Sequence, residues 1–156
     1  MSDGIPGGEA PFFQTLPDKV RQIIAALASE KTFQAGGYIF REGQSSDFAH
    51  FIANGQVAIE MDVPGRGRQR ILSLGPGDLV GWTPLFENAP MIASAVALTD
   101  VKLCSIRGQK LRDLCAADQE VGYHFMRETA RSLGKRLLAT RLQLLDLFGA
   151  ADESRS

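Results

Sequence analysis

Residues 75–96 read GPGDLVGWTPLFENAPMIASAV. Glycines at 75, 77 and 81 brace two turns around the short apolar run Leu79-Val80. Thr83-Pro84-Leu85 then suits a single helical turn, and Ala93 to Val96 suits another strand. This order sets a helical turn inside β structure. The first N–H groups of such a turn lack internal partners and carry positive potential, so the stretch predicts a place for an anion in a β scaffold. It points to a ligand-binding barrel and away from an enzyme built on side-chain nucleophiles.

Outward from this stretch the same texture runs from Lys31 to Ile106. Short apolar or alternating runs recur as TF, YIF, HFIA, VAIEM, RILSL, DLVGW, ASAVAL and VKLCSI. Between them lie Gly36-Gly37, Gly43, Asn54-Gly55, Pro64-Gly65 with Gly67, Gly75-Pro76-Gly77 and Thr99-Asp100. Asn54-Gly55 is a two-residue hairpin signal. About eight short strands at this spacing predict a mainly β fold, a sandwich or jelly-roll barrel (a double-stranded β-helix). On the N-terminal side, Pro17, Val20, Ile23, Ile24 and Leu27 predict a helix over Leu16–Ser29.

After Ile106 the period becomes helical. A short helix is expected over Gly108–Ala116, with Leu111, Leu114 and Cys115 inward. Asp118 then caps a long helix of about 118–148 that stops at Gly149. On it Met126, Ala130, Leu133, Leu137, Thr140 and Leu144 recur in steps of four and three, a coiled-coil seam. Leu138, Leu142 and Leu145 make a second apolar line. Either both lines are buried within one chain, or one packs on the barrel and the other seats a second copy. Two stripes exceed what one core-facing surface needs, which favours a homodimer through the first line.

Size and composition agree with one globular domain. The chain has 156 residues, 44% hydrophobic and 22% charged, with a net charge of −1. No overall positive field draws in nucleic acid. Residues 1–11 are rich in Gly and Pro and are expected to be disordered, residues 12–149 to form the domain, and residues 150–156 to be a disordered tail. Cys104 and Cys115 belong to no CxxC or Cys/His pattern, so neither a disulfide framework nor a zinc site is expected. No signal peptide or membrane span is read, and a cytoplasmic location is expected.

The text FQAGGYIFREGQSSDFAHFIANGQVAI, then LSLGPGDLVGW, the ASAVAL strand and the long helix resemble the cyclic nucleotide-binding domain family, the sensor module of catabolite activator-like regulators. The likeness covers roughly Thr32 to Phe148. It implies an eight-stranded β-roll, a phosphate-binding cassette between the sixth and seventh strands, and a C-terminal dimer helix. The text GWTPLF…PMIASAVAL with RLLATRLQLLDLFG is similar to a stand-alone bacterial subgroup of these domains. The ligand-binding set implied is Gly81, Trp82, Thr83, Leu85, Met91, Ala93, Ser94 and Ala95.

This chain departs from the family pattern where the charges belong. In the family a Glu holds the ribose hydroxyl and an Arg pairs with the cyclic phosphate. Here those positions fall on Trp82 and Met91, while Ser94 matches the Ser/Thr that touches the phosphate. The resemblance therefore implies altered or lost cyclic AMP affinity unless Arg68, Arg70 or Arg136 substitutes. Trp82 either lines the pocket and stacks on a planar or apolar ligand, or fills the vacant nucleotide site with its own ring.

Other chemistry is thin. His50 and His124 are the only histidines, and no motif makes either a haem ligand. No GxSxG, HExxH or Walker A pattern appears, so no catalytic or metal residue is assigned. Only AADESRS follows Gly149 in this sequence, so no helix-turn-helix is expected within it. Arg127, Arg131 and Lys135 read as a solvated helix face. The expected function is a non-catalytic small-molecule sensor, with no cofactor beyond a cyclic nucleotide or another small anionic or planar ligand. The alternative is a protein-interaction module whose pocket Trp82 closes.

Overall fold

The structure is a computed structural model that describes residues 11–155, with side chains described over 12–139. In chain order it contains α1 (Pro11–Gln14), α2 (Asp18–Ala25), β1 (Ala28–Phe33), β2 (Tyr38–Phe40), β3 (Phe48–Asn54), β4 (Val57–Val63) and β5 (Gly67–Leu74). There follow β6 (Leu79–Val80), a 3₁₀ turn (Thr83–Leu85), β7 (Ser94–Ala97), β8 (Val101–Arg107), α3 (Gly108–Ala117) and α4 (Gln119–Arg155). Two four-stranded sheets form, ordered β1-β8-β3-β6 and β2-β7-β4-β5, with every pairing antiparallel.

The apolar runs are continuous because the first sheet is covered on both faces. Successive residues point to opposite sides of a strand. Phe51, Leu79, Cys104 and Ile106 face the helices, where they meet Phe12, Phe13, Val20, Ile24, Leu111, Val121 and Phe125. Their strand neighbours Ile52, Val80 and Leu103 face the second sheet, where they meet Phe40, Val57, Leu74, Met91, Ala95 and Ala97. A strand buried on both faces reads as an unbroken apolar run and not as an alternation.

Three local expectations are corrected. The helix predicted over Leu16–Ser29 ends at Ala25. The chain from Ala28 to Phe33 is strand β1, held by pairing with β8 from Ala28↔Ile106 to Phe33↔Val101. Local helical spacing yields here to a full ladder of inter-strand hydrogen bonds. The helix α1 was not anticipated. Its Phe12 and Phe13 are buried against Phe51 and Phe125, with Phe12 and Phe51 ring centroids 4.5 Å apart.

Asn54-Gly55 does not close a hairpin. Strands β3 and β4 belong to different sheets, and the turn is the corner at which the chain crosses between them. Gly55 has φ +99, and a Cβ there would lie 2.4 Å from the Asp100 carbonyl oxygen. The tight β-hairpin is instead β4–β5, closed by the Val63↔Gly67 pair. Finally, α4 runs through Gly149 to Arg155. A glycine costs a helix about 1 kcal/mol without ending it, and Ala150-Ala151 are strong helix formers. The expectation for residues 1–10 lies outside the described residues.

The remaining C-terminal elements match their sequence signals. Asp118 Oδ1 accepts from the backbone N–H of Glu120 at 3.1 Å and of Val121 at 3.2 Å, an N-cap on α4. Helix α4 lays Val121, Phe125 and Thr129 on the core, and Thr129 returns its hydroxyl to the Phe125 carbonyl at 2.9 Å. Of the predicted seam, Met126 packs at the edge of this core, Leu133 is half-buried, Ala130 is exposed and Leu137 is 60% exposed. Leu138, on the second line, is 59% exposed. The core stripe therefore runs beside the predicted seam. The side chains of Thr140 and Leu144, like those of Leu142 and Leu145, lie outside the described residues.

Candidate ligand-binding site

A cavity of about 200 Å³ opens where the second sheet, the segment 81–93 and α4 meet. Its walls are Phe40 of β2, Ile59 and Met61 of β4, Ile71 and Leu72 of β5, then Gly81, Trp82, Thr83, Met91, Ile92, Ala93 and Arg136. Gly81 sets the inner curve. It has φ +78, and a Cβ there would meet Phe40 Cε2 at 2.9 Å and Met91 Cε at 3.4 Å. Only glycine lets β6 turn under those two side chains. Met91 is fixed by backbone bonds to the loop after β2: its N–H donates to the Gln44 carbonyl at 2.9 Å, and its carbonyl accepts from Gly43 N–H at 2.8 Å.

Five of the eight expected ligand-binding residues line this cavity: Gly81, Trp82, Thr83, Met91 and Ala93. The other three stand outside its lining. Leu85 is buried in the helix-side core, and Ala95 in the core between the sheets. Ser94 is buried, and its Oγ accepts from the Glu42 backbone N–H at 2.8 Å, which ties β7 to the exit of β2.

The anion cradle expected from the helical turn is thin. Pro84 has no N–H to offer. The N–H of Leu85 donates to the Trp82 carbonyl at 3.0 Å, and those of Phe86 and Glu87 donate to the Thr83 carbonyl at 3.0 and 3.1 Å. Charge enters from elsewhere. Arg136, 57 residues from Leu79 in the chain, reaches from α4 and donates through Nη2 to the Leu79 carbonyl. It is the one charged residue among the described lining residues. Burial lowers its pKa from the usual guanidinium value, and the nearby Asp78 carboxylate opposes that shift. Asp78 itself accepts from Gly75 N–H at 2.9 Å, inside the turn that leads to β6.

The other two arginines considered from sequence lie on the sheet's outer surface. Arg68 donates to the Tyr38 hydroxyl and stands 3.8 Å from Asp62. Arg70 is exposed opposite Glu60. Trp82 is half-buried: its ring packs on the helix-side core and meets Phe86 edge-on at 6.1 Å. A larger hollow of about 400 Å³ lies by the β3–β4 corner, lined by Thr32, Gln34, Asn54, Asp100 and Lys102 among others; it holds none of the expected site residues.

His50 lies in the core. Its Nδ1 is 2.6 Å from Ser105 Oγ, and its ring lies near-parallel to those of Phe40 and Phe48, with centroids 6.4 and 6.2 Å away. Burial, with a smaller contribution from the Lys31 ammonium, pushes its pKa down to about 3, so the imidazole is neutral. Cys104 is buried, and burial raises the Cys115 thiol above its usual value. No helix among the described residues is long and apolar enough to cross a membrane.

Residues 30–118 match the model of the cyclic nucleotide-binding domain family. The chain belongs to that family. It is 33% identical over 129 residues to the CRP-like cAMP-activated global transcriptional regulator of Mycobacterium tuberculosis, covering 80% of this chain and 55% of the relative. The chain thus spans about half the length of that relative. Among solved structures it resembles a cyclic nucleotide-binding domain from Methylobacillus flagellatus, with a TM-score of 0.80, 18% identity, and 88% and 81% of the two chains covered. It also resembles the N-terminal domain of a transcriptional regulator from Streptomyces coelicolor, with a TM-score of 0.67, 30% identity, and 83% and 90% covered. The sequence-stretch likeness to this family, and the expected mainly β roll with a long C-terminal helix, are thereby borne out.

Proposed function

We infer that this domain is a non-catalytic sensor that holds a small molecule in the cavity between segment 81–93 and α4, and that its affinity for cyclic AMP is low. The observation that carries the reading is the lining itself: Trp82 forms one wall and leaves a cavity that Arg136 of the long helix closes. Relatives include a cAMP-activated transcriptional regulator and a cAMP-dependent protein kinase regulatory subunit, which supports a regulatory role for this chain. Trp82 and Met91 supply neither the carboxylate nor the cation that the family pattern sets around ribose and phosphate. Each lost charge-assisted hydrogen bond weakens binding by about 1.5–3 kcal/mol, tenfold or more.

The domain acts as a homodimer through α4. Leu137 and Leu138 together leave an apolar surface on a helix whose other side already covers the core. Calorimetry with cyclic AMP tests the ligand reading. A dissociation constant in the high micromolar range or weaker is expected, and a sub-micromolar one refutes low affinity. The double change Trp82→Glu with Met91→Arg is expected to strengthen cyclic AMP binding at least about tenfold. A pocket closed by Trp82 would show instead as an absence of binding by any small molecule to the unchanged chain.

A further inference from the structure

The cavity's chemistry differs from that of a nucleotide site. Phe40, Ile59, Met61, Leu72, Trp82 and Met91 give it apolar walls, and Ile92, 58% exposed, stands at the mouth. Polar residues are few among the lining: Thr83 and Arg136. A ribose with its hydroxyls would leave water for a wall that returns almost no hydrogen bonds, a net cost for each unpaired group. A compact apolar body loses nothing there. Size agrees. An engineered cavity of about 150 Å³ takes up benzene, so about 200 Å³ suits a body on the order of eight to ten non-hydrogen atoms. Cyclic AMP is more than twice that size.

The one cation is placed for a planar anion. Arginine presents a flat fork of donors that matches a carboxylate in two parallel hydrogen bonds. Arg136 carries that fork to the apolar wall, anchored by its bond to the Leu79 carbonyl and attracted by Asp78. The anchor fixes the guanidinium at the edge of the cavity, where it is partly withdrawn from water.

We propose that the cavity takes a small monocarboxylate with a compact apolar or aromatic body, its carboxylate on Arg136 and its body between Trp82, Met91 and the β4–β5 strands. The proposal rests on the reading of this cavity as the ligand site and names the class of ligand. Trp82 is the chain's one tryptophan and lines the cavity, so its fluorescence reports occupancy directly.

The test is a Trp82 fluorescence titration of the full chain with phenylacetate, benzoate and hexanoate, each beside its neutral amide, and with cyclic AMP and cyclic GMP. The carboxylates are expected to saturate and to bind at least about tenfold tighter than their amides, as a charge-assisted contact demands. Arg136→Met, checked for a native melt, is expected to shrink that preference to within about twofold. The wild-type carboxylate–amide contrast decides the matter even if the variant unfolds. Equal binding of acids and amides overturns the proposal, as does silence from all three acids. In that case saturation by a cyclic nucleotide keeps the sensor reading, and silence from both sets removes it as well.

Discussion

Three alanine substitutions, at Gly65, Gly81 and Gly55, separate the cost of backbone conformation from the cost of crowding. All three glycines have positive φ, of +80, +78 and +99. At Gly65, in the β4–β5 turn, a Cβ meets nothing within 4 Å. Gly65→Ala therefore carries only the left-handed penalty, about 1–2 kcal/mol. At Gly81 the Cβ comes 2.9 Å from Phe40 Cε2, a ring edge that can turn into the cavity. A modest overpacking term raises the total to about 2–3 kcal/mol. At Gly55 the Cβ falls 2.4 Å from the Asp100 carbonyl oxygen and 2.9 Å from the Val101 Cα. Those are backbone atoms of the turn into β8, the strand that pairs with both β1 and β3. They cannot swing aside, and the expected cost is about 4 kcal/mol or more, a large part of the stability of such a domain. Urea denaturation of the three variants at constant slope gives the differences from the midpoints. The expected order of destabilisation is Gly65 < Gly81 < Gly55. Equal losses at Gly55 and Gly65 would refute the corner's tight contact. A Gly81→Ala as mild as Gly65→Ala would refute the packing of Phe40 beneath β6.

The buried His50 predicts a pH dependence. Its folded pKa of about 3 lies below the usual value near 6.5, so its contribution is fully present above pH 6.5 and is lost as pH falls toward 3. At pH 5 the loss is about 2 kcal/mol, and His50→Gln should flatten the fall in urea midpoint between pH 7 and 5; an unchanged slope would count against it. Asp118→Ala removes a cap that accepts two backbone N–H groups and should cost about 1 kcal/mol in the same assay. Leu133→Glu with Leu137→Glu should convert a dimer to a monomer in sedimentation at micromolar concentration; a wild-type chain that is already a clean monomer refutes the dimer.

The strands were legible because their chemistry is local. Eight apolar runs with turn residues between them, most of them glycine-bearing, count out eight strands, and YIF matches β2 residue for residue. Pairing partners were less legible. Asn54-Gly55 carries the composition of a hairpin, but glycine at positive φ serves any sharp turn. What selects a corner over a hairpin is the Asp100-Val101 backbone lying against it, and that segment is some 45 residues away in the chain. Helical spacing through Leu27 carried the predicted helix on to Ser29, and the strand form of Ala28 and Ser29 depends on β8, more than 70 residues on. On α4 the sequence pattern found the excess of apolar surface. It misplaced the core stripe, because Thr129 is a core residue on the strength of its hydroxyl bond to Phe125 and does not read as apolar.

The site divides in the same way. Trp82, Met91 and Gly81 could be assigned to the cavity because the segment that holds them is contiguous and bounded by turns. Arg136 could only be named as one of three arginines. On the helix it is one basic residue near Arg131 and Lys135, and the four-residue spacings that mark a solvated face do not distinguish the one that turns inward. The inward turn follows from Leu79, the strand carbonyl that accepts its Nη2. That carbonyl stands two residues before Gly81, where the chain bends under Phe40 and Met91. One side chain thus joins the position of α4 to the floor of the cavity. A carboxylate that draws the guanidinium away from Leu79 would exchange a contact between helix and barrel for a contact with ligand. Occupancy would then bear on α4 beside the exposed Leu137 and Leu138. A pocket that recognised its ligand through backbone amides alone would have no such lever on the helix.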